Sequence, residues 1–204
     1  MIERRAFFTR YLFGGGLSLV CAGEAVASQS PLQSRKRRGW PSDRDSFMVR
    51  GFRVPPPESY RKFMDEREDL KPRGAGVQRV GFEGDVKAGL VALNASINSG
   101  MKYRKDKNGD VWGLSAQEGD CEDYAINKLD SLLSDGSFRR NSFSIALCQT
   151  ENGEDHAVLV FHAREADLVL DNRFDHIRAW NRLPYFWLAI ESHKQGDFFE
   201  TIVN

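Results

Sequence analysis

The sequence has no excess of charge of either sign. Its 204 residues carry 29 lysines and arginines against 29 aspartates and glutamates, so the formal net charge is zero. Domains that bind nucleic acid usually carry a basic surface, and the charge balance gives no indication of a nucleic-acid partner. The sequence also has no internal repeat, and its length fits one domain of moderate size.

A long hydrophobic run is missing as well. The apolar stretch from Tyr11 to about Ala22 is shorter than the roughly 20 residues that a membrane-spanning helix needs. Arg4-Arg5 precedes this stretch, and Ala25-Val26-Ala27 follows it with small residues of the kind that signal peptidase reads. We therefore interpret residues 1–27 as a cleaved signal peptide that resembles a twin-arginine signal, and expect a periplasmic protein. An uncleaved membrane anchor is the alternative.

The composition then divides the rest of the chain into two parts. Residues 28–46 are polar and contain the basic run Arg35-Lys36-Arg37-Arg38, which predicts a flexible tether rather than a lipid-binding patch. Residues 47–204 are expected to form a single domain.

Hydrophobic spacing predicts the main elements of that domain. Apolar residues at helical spacing indicate one helix around Val86–Ile97 and another that begins at Cys121 and stops before Gly136. A short helix is predicted around 58–67, and alternating residues predict strands over 143–148, 156–161, 167–171 and 185–190. Helices followed by an antiparallel meander indicate an α+β fold, with the helices packed on one face of the sheet.

Cysteine is scarce, with three residues of which Cys121 and Cys148 follow the predicted signal peptide. Two cysteines in an oxidising compartment suggest a disulfide. A helix start, however, lowers the pKa of a thiol through its free N–H groups and positive dipole end. Asp120 at the N-cap and Asp123 at the third helical position are similar to a capping box, so Cys121 is also a candidate nucleophile.

A nucleophilic thiol needs a base, and His156 follows the turn residues Asn152-Gly153. Asp171 ends the next predicted strand. If the two strands pair through a turn at 164–166, His156 and Asp171 lie side by side, as a carboxylate that orients an imidazole requires. A zinc site that combines a cysteine with His162 or His176 is the alternative, but no short C-x-x-C or H-x-x-x-H spacing supports it.

The acidic residues around Cys121 oppose its reactivity. Glu118, Asp120, Glu122 and Asp123 carry the same charge as a thiolate and would raise the pKa of the thiol. Either they cap the helix or they hold a cation, and clustered carboxylates suit calcium. Both explanations remain open from the residues alone.

Several of these segments together resemble the bacterial transglutaminase-like cysteine proteinases, which include the LapG-type periplasmic proteases. The resemblance lies in Leu93–Asn98, Trp112, the block Gly119–Ala125 with Lys128, Asp155–Leu159 and Leu168–Asn172. It implies a papain-like, transglutaminase-core fold and a catalytic triad of Cys121, His156 and Asp171. It also implies calcium bound by acids that flank the cysteine, namely Asp120, Glu122 and Asp123.

The resemblance further implies a cysteine endopeptidase with a surface or periplasmic protein as its substrate. LapG-type enzymes clip the N-terminal region of large surface adhesins, which releases biofilm, and an inner-membrane receptor that senses cyclic di-GMP holds them inactive. Two other functions remain open: a transglutaminase-type acyl transferase or amidase, and a non-catalytic calcium-responsive binding module in which Cys121 is bonded to Cys148.

Overall fold

The computed structural model describes residues 46–203, apart from 108, 109, 116, 135 and 195–197. The predicted signal peptide at 1–27 and the predicted tether at 28–46, except for its last residue, lie outside the described residues. These two segments and the domain boundary at residue 47 therefore stay predictions. No helix in the described part of the chain is long and apolar enough to cross a membrane.

The described residues form three α-helices: α1 (Glu58–Glu66), α2 (Gly84–Gly100) and α3 (Cys121–Ser134). These are the three helices that the sequence predicts. The end of α3 shows why Gly136 is needed, since this residue adopts a φ of 74° and donates its N–H to the carbonyl oxygen of Leu133 at 3.1 Å. Glycine takes this left-handed conformation without steric cost, so it closes the helix.

Seven described strands form one sheet: β1 Val49–Val54, β4 Phe143–Gln149, β5 Asp155–His162, β6 Asp167–Leu170, β7 Arg178–Ala179, β8 Phe186–Glu191 and β9 Phe199–Val203. Their order across the sheet is β1–β9–β8–β4–β5–β6–β7, and every neighbouring pair is antiparallel. Two short strands, β2 (Lys102–Tyr103) and β3 (Glu118–Gly119), pair parallel to each other. The four predicted strands correspond to β4, β5, β6 and β8.

The main hydrophobic core lies between the helices and one face of the sheet. Strand β4 shows the division, because Phe143, Ile145 and Leu147 belong to this core while Ala146 and Cys148 belong to a second cluster. Successive side chains of a strand point to opposite faces, so the second cluster covers the other face. The α+β fold with helices against one face of an antiparallel sheet is thus confirmed.

Strands β1 and β9 were not predicted from the sequence. They pair with each other from opposite ends of the domain, with Val49 opposite Val203. Four of the six residues of β1 are exposed, so the strand lacks the apolar alternation by which a strand is recognised. Its pairing partner, rather than its own pattern, fixes β1 as a strand.

Candidate active site

Cys121 is the first residue of α3, and its side chain is half-buried. Helix α3 packs across β5, and the backbone N–H of Ala157 in that strand is directed at the sulfur. The thiol also donates to Glu122 Oε2 at 3.1 Å. The fold therefore brings the helix start to the strand at the residue that follows His156.

His156 and Asp171 meet at the end of the β5–β6 hairpin. Leu159 pairs with Leu170, and this register places the two side chains at the same end of the two strands. His156 Nε2 lies 2.9 Å from Asp171 Oδ1, and both residues are buried. A carboxylate accepts and cannot donate, so Nε2 carries the proton and Nδ1 is the nitrogen left for another partner.

The carboxylate of Asp171 is held in its charged form. Burial alone would raise its pKa, but the hydrogen bond and the charge of His156, the backbone N–H of Arg173 and the hydroxyl of Tyr185 hold the pKa below its usual value. The Arg173 N–H donates to Oδ1 at 2.9 Å, and the Tyr185 hydroxyl donates to Oδ2. The geometry therefore favours an ionised Asp171 beside the imidazole.

The two cysteines lie on different faces of the sheet. Cys121 packs against the main core and Cys148 is fully buried in the second cluster, and both are free thiols. The alternative in which Cys121 is bonded to Cys148 is therefore wrong: the sheet separates the two sulfurs. The thiol of Cys148 instead contacts the carbonyl oxygen of His156 at 3.6 Å.

Carboxylates converge next to the cysteine. Asp106, Asp120 and Glu122 each present an oxygen, and these oxygens lie within 4.8 Å of one another. Asp120 Oδ2 accepts from the backbone N–H of Asp106 at 3.2 Å, whereas Asp120 Oδ1 is buried and has no hydrogen-bond partner in the described structure. The three form a set of hard oxygen donors with an unsatisfied buried oxygen, which suits calcium.

The crowding of these carboxylates changes the pKa values of the groups around the helix start. Burial, followed by the neighbouring carboxylates of Asp110 and Asp120, raises the pKa of Glu122 far above its usual value. Burial and the carboxylate of Glu122 likewise raise the pKa of the Cys121 thiol. The opposition between the acids and the thiolate, expected from the sequence, is therefore present in the folded chain.

Asp123 stands apart from this carboxylate cluster. One of its oxygens accepts from the backbone N–H of Gly113 at 2.9 Å, and the other accepts from the backbone N–H of Asp120 at 3.3 Å. The second bond is one half of a capping box, and it needs Gly119, where a Cβ would lie only 2.4 Å from Asp123 Oδ2. Burial raises the pKa of Asp123 to about 7. Its observed contacts fix the start of α3.

Asp106 and Asp110 were missed by the sequence reasoning. Asp110 Oδ2 accepts from the indole N–H of Trp112 at 2.9 Å and from the hydroxyl of Ser59 in α1. Trp112 is a buried core aromatic, packed edge-on against Tyr60 with ring centroids 5.1 Å apart. The acid-rich sequence Asp-Lys-Asn-Gly-Asp at 106–110 was the available signal, since such turns often supply oxygen ligands.

His162, considered for zinc, is occupied elsewhere. It is fully buried, with Nε2 2.7 Å from the Ser144 hydroxyl and Nδ1 2.8 Å from Asp167. Among the described residues, one group of three potential metal ligands lies close together, namely Asp106, Asp120 and Glu122. All three offer only carboxylate oxygens. This arrangement does not fit a cysteine–histidine zinc site.

The loop after Asp171 is pinned by helix α2. Asn94 donates to the carbonyl oxygens of Phe174 and Asp175, and Asn98 donates to the carbonyl oxygen of Asp171 at 2.9 Å. Asn94, one of the residues that carry the family resemblance, is fully buried. Its role in this structure is to hold the segment that carries Asp171.

Lys128, on α3, is a fully buried lysine whose ammonium nitrogen has no hydrogen-bond partner in the described structure. Burial lowers its pKa to about 7, although the charges of Asp171 and Asp175 oppose this. Between about pH 7 and pH 10.5 the unfolded chain binds more protons at this lysine than the folded chain. The burial of charged Lys128 therefore lowers the free energy of unfolding by its full amount below pH 7, and this penalty declines as the pH rises.

We expect Lys128→Met to raise the free energy of unfolding at pH 6 by about 1–3 kcal/mol, because an unpaired buried charge is removed. The gain should shrink at pH 9. Urea unfolding at both pH values measures it, with Lys87→Met, an exposed lysine of α2, as the control. A loss of stability at both pH values would show that Lys128 is paired with Asp171 and Asp175 instead.

Comparison with known proteins places the chain in a family. The profile of the bacterial transglutaminase-like cysteine proteinases matches residues 51–204. Calcium-bound LapG of Legionella pneumophila is similar in structure, with a TM-score of 0.50 and 19% sequence identity, over 72% of this chain and 81% of that one. LapG of the same organism and its EGTA-treated form each give a TM-score of 0.47 and 21% identity, over 66% of this chain and 73% of theirs. No curated protein sequence matches.

The calcium-bound LapG structure supports the fold, and the family profile covers most of the described domain and includes every residue of the candidate site. The expectation of a cysteine protease with a transglutaminase-like fold is confirmed. The chain belongs to the bacterial transglutaminase-like cysteine proteinases.

Proposed function

We propose that this protein is a periplasmic endopeptidase that cleaves a surface or periplasmic protein through Cys121, His156 and Asp171. The observation that carries the proposal is the meeting of three elements. Helix α3 begins with Cys121 against β5 beside His156, and the imidazole of His156 is hydrogen-bonded to Asp171. A thiol at a helix start, a histidine and an orienting carboxylate are the parts that nucleophilic catalysis needs.

In the proposed reaction, His156 takes the proton of the Cys121 thiol, and the resulting thiolate attacks the carbonyl carbon of a peptide bond. A C–S bond forms, and free N–H groups of the first turn of α3 stabilise the oxyanion. The C–N bond then breaks as the imidazolium of His156 gives its proton to the leaving amine. Water attacks the resulting thioester while His156 takes one of its protons. The C–S bond then breaks, the carboxylic acid product leaves, and His156 returns the proton to the Cys121 sulfur. Asp171 holds the imidazole in one tautomer throughout.

We further propose that calcium binds to Asp106, Asp120 and Glu122. The fit rests on three converging carboxylates and on the buried, unsatisfied Oδ1 of Asp120. Bound there, calcium would supply positive charge that offsets the carboxylates crowded around the helix start. Asp123 is left out of this set because its observed contacts are the backbone N–H groups of Gly113 and Asp120.

The substrate is proposed from the resemblance seen in the sequence. It points to the N-terminal region of a large surface adhesin, with biofilm release as the consequence, and to control by an inner-membrane receptor that senses cyclic di-GMP. The signal-peptide features of residues 1–27 support an exported enzyme that reaches such proteins.

Cleavage of surface proteins tests the proposed function directly. Outer-surface proteins of the source organism are incubated with the purified protein or with its Cys121→Ala variant, in calcium, and new N-termini are mapped by mass spectrometry. We expect a small set of new N-termini that appears with the parent protein alone. A labelled amine in the same mixture should not be incorporated. Identical N-termini in both samples, or amine incorporation without cleavage, would contradict the proposal.

A further inference from the structure

Tyr185 lies directly behind the His156–Asp171 pair. It precedes β8, is 8% exposed, and comes from a part of the chain that follows both residues in the sequence. Its ring packs edge-on against the His156 imidazole, with centroids 5.5 Å apart and an interplanar angle of 71°. The imidazole of the proposed base is therefore packed against an aromatic side chain.

The hydroxyl of the same side chain reaches the carboxylate. It donates to Asp171 Oδ2, while Oδ1 accepts from His156 Nε2 at 2.9 Å and from the Arg173 backbone N–H at 2.9 Å. Asp171 is 1% exposed, so water does not readily replace a missing donor. Within the described structure, Tyr185 is the donor on the side of the carboxylate that faces away from His156.

The direction of the Tyr185 hydrogen bond is fixed by a neighbour. Arg173 Nη1 donates to the Tyr185 oxygen at 3.2 Å, and its guanidinium lies over the Tyr185 ring. The same guanidinium makes two bonds to Glu151 in the β4–β5 turn, at 2.9 and 2.6 Å. Because an arginine donates only, the tyrosine oxygen accepts from it and its proton is left for Asp171.

We propose that Tyr185 is a positioning residue for the His156–Asp171 pair, whose hydroxyl fixes the rotation of the carboxylate and whose ring fixes the imidazole plane. This inference rests on the proposed function for its catalytic consequence. Tyr185 is buried, and its contacts with the site are to Asp171 and to the His156 ring, so it acts through His156 and Asp171. Losing a hydrogen bond to a buried charged group is expected to lower activity by about 10- to 100-fold.

The test compares Tyr185→Phe with Tyr60→Phe. Both changes remove a buried tyrosine hydroxyl that donates to a buried carboxylate, since Tyr60 donates to Glu191 Oε1. The first readout needs no substrate: it is the solvent-exchange rate of the His156 Nε2–H proton, seen by NMR as a downfield resonance and assigned by its loss in His156→Gln. We expect this exchange to be at least about tenfold faster in Tyr185→Phe, because a hydrogen bond to a buried charged group is lost, and unchanged in Tyr60→Phe.

The second readout is cleavage of a peptide that contains one of the bonds cleaved in the experiment with outer-surface proteins. We expect kcat of Tyr185→Phe to fall about tenfold with KM within twofold of the parent, and kcat of Tyr60→Phe to stay within twofold. Parental proton exchange in Tyr185→Phe, or equal kcat loss in both variants, would overturn the positioning role. If no peptide is cleaved by the parent protein, the proposed function fails while proton exchange still decides the positioning role.

A third variant provides the test if Tyr185→Phe does not fold. Arg173→Met removes the donor to the tyrosine oxygen but keeps the backbone N–H that donates to Asp171. Its effect on proton exchange should have the same direction and a smaller size. Exchange as slow as in the parent protein would overturn the proposal here as well.

Discussion

Replacing Cys121 by alanine is expected to lower the cleavage rate at least about a thousandfold. The reason is that the sulfur forms the bond to the substrate, and no other described side chain at this helix start is a nucleophile of comparable strength. Removing one half-buried sulfur should change the free energy of unfolding by less than about 1 kcal/mol. The measurement is cleavage of the identified peptide, with circular dichroism to show that the fold is intact.

Cys148→Ala is the matched control for this variant. The second cysteine is buried on the opposite face of the sheet, so its removal leaves a small cavity and costs stability without removing the nucleophile. We expect its cleavage rate to stay within about tenfold of the parent rate, because its contact with His156 is to the backbone carbonyl oxygen and not to the imidazole. Equal losses in the two variants would mean that Cys121 matters for packing rather than for chemistry.

Calcium is expected to have the next largest effect. At a hundredfold excess over its dissociation constant, the ion should raise the free energy of unfolding by about 2.7 kcal/mol, and a chelator should reverse this. Chelation should also reduce cleavage, because the uncompensated carboxylates disfavour negative charge at the sulfur. Thermal unfolding with calcium, magnesium or chelator, at constant pH, gives the comparison.

Asp120→Asn separates calcium binding from simple capping. The asparagine removes a charged ligand and part of the repulsion within the cluster, so the metal-free variant should be more stable than the metal-free parent. At the same time its calcium affinity should drop at least about tenfold. Asp85→Asn, at an exposed acid of the first turn of α2, should change neither quantity. An unchanged calcium response in Asp120→Asn would exclude the proposed ligand set.

Local patterns were enough to predict the parts of the site that lie within one predicted helix or one predicted hairpin. The helix that begins at Cys121 follows from its cap residues and apolar spacing, and the adjacency of His156 and Asp171 follows from one hairpin. In both cases the elements are consecutive, so a short turn fixes their arrangement. The fold class also follows from the order of helices and strands.

The contacts that were missed span about as much sequence as the His156–Asp171 pair, but no predicted hairpin or helix brings their residues together. Asp106 lies beside Asp120 and Glu122 although no periodic pattern in the sequence predicts it, and Tyr185 reaches Asp171 from the position just before β8. The residue type alone predicts that Lys128 lies on the surface, since lysine is almost never fully buried. Helix packing nevertheless buries it in the protein interior. Such positions depend on the tertiary fold as a whole, which a pattern of neighbours along the chain does not encode.

Covalent trapping tests the central claim, that Cys121 is the nucleophile, most directly. A cleaved peptide is mixed with the parent protein and quenched in acid during the first turnover, and the protein is digested and analysed by mass spectrometry. We expect a thioester that links the N-terminal fragment of the substrate to the Cys121 sulfur, and none in Cys121→Ala. Rapid cleavage with the acyl group on another residue, or with no covalent adduct at any time point, would contradict it.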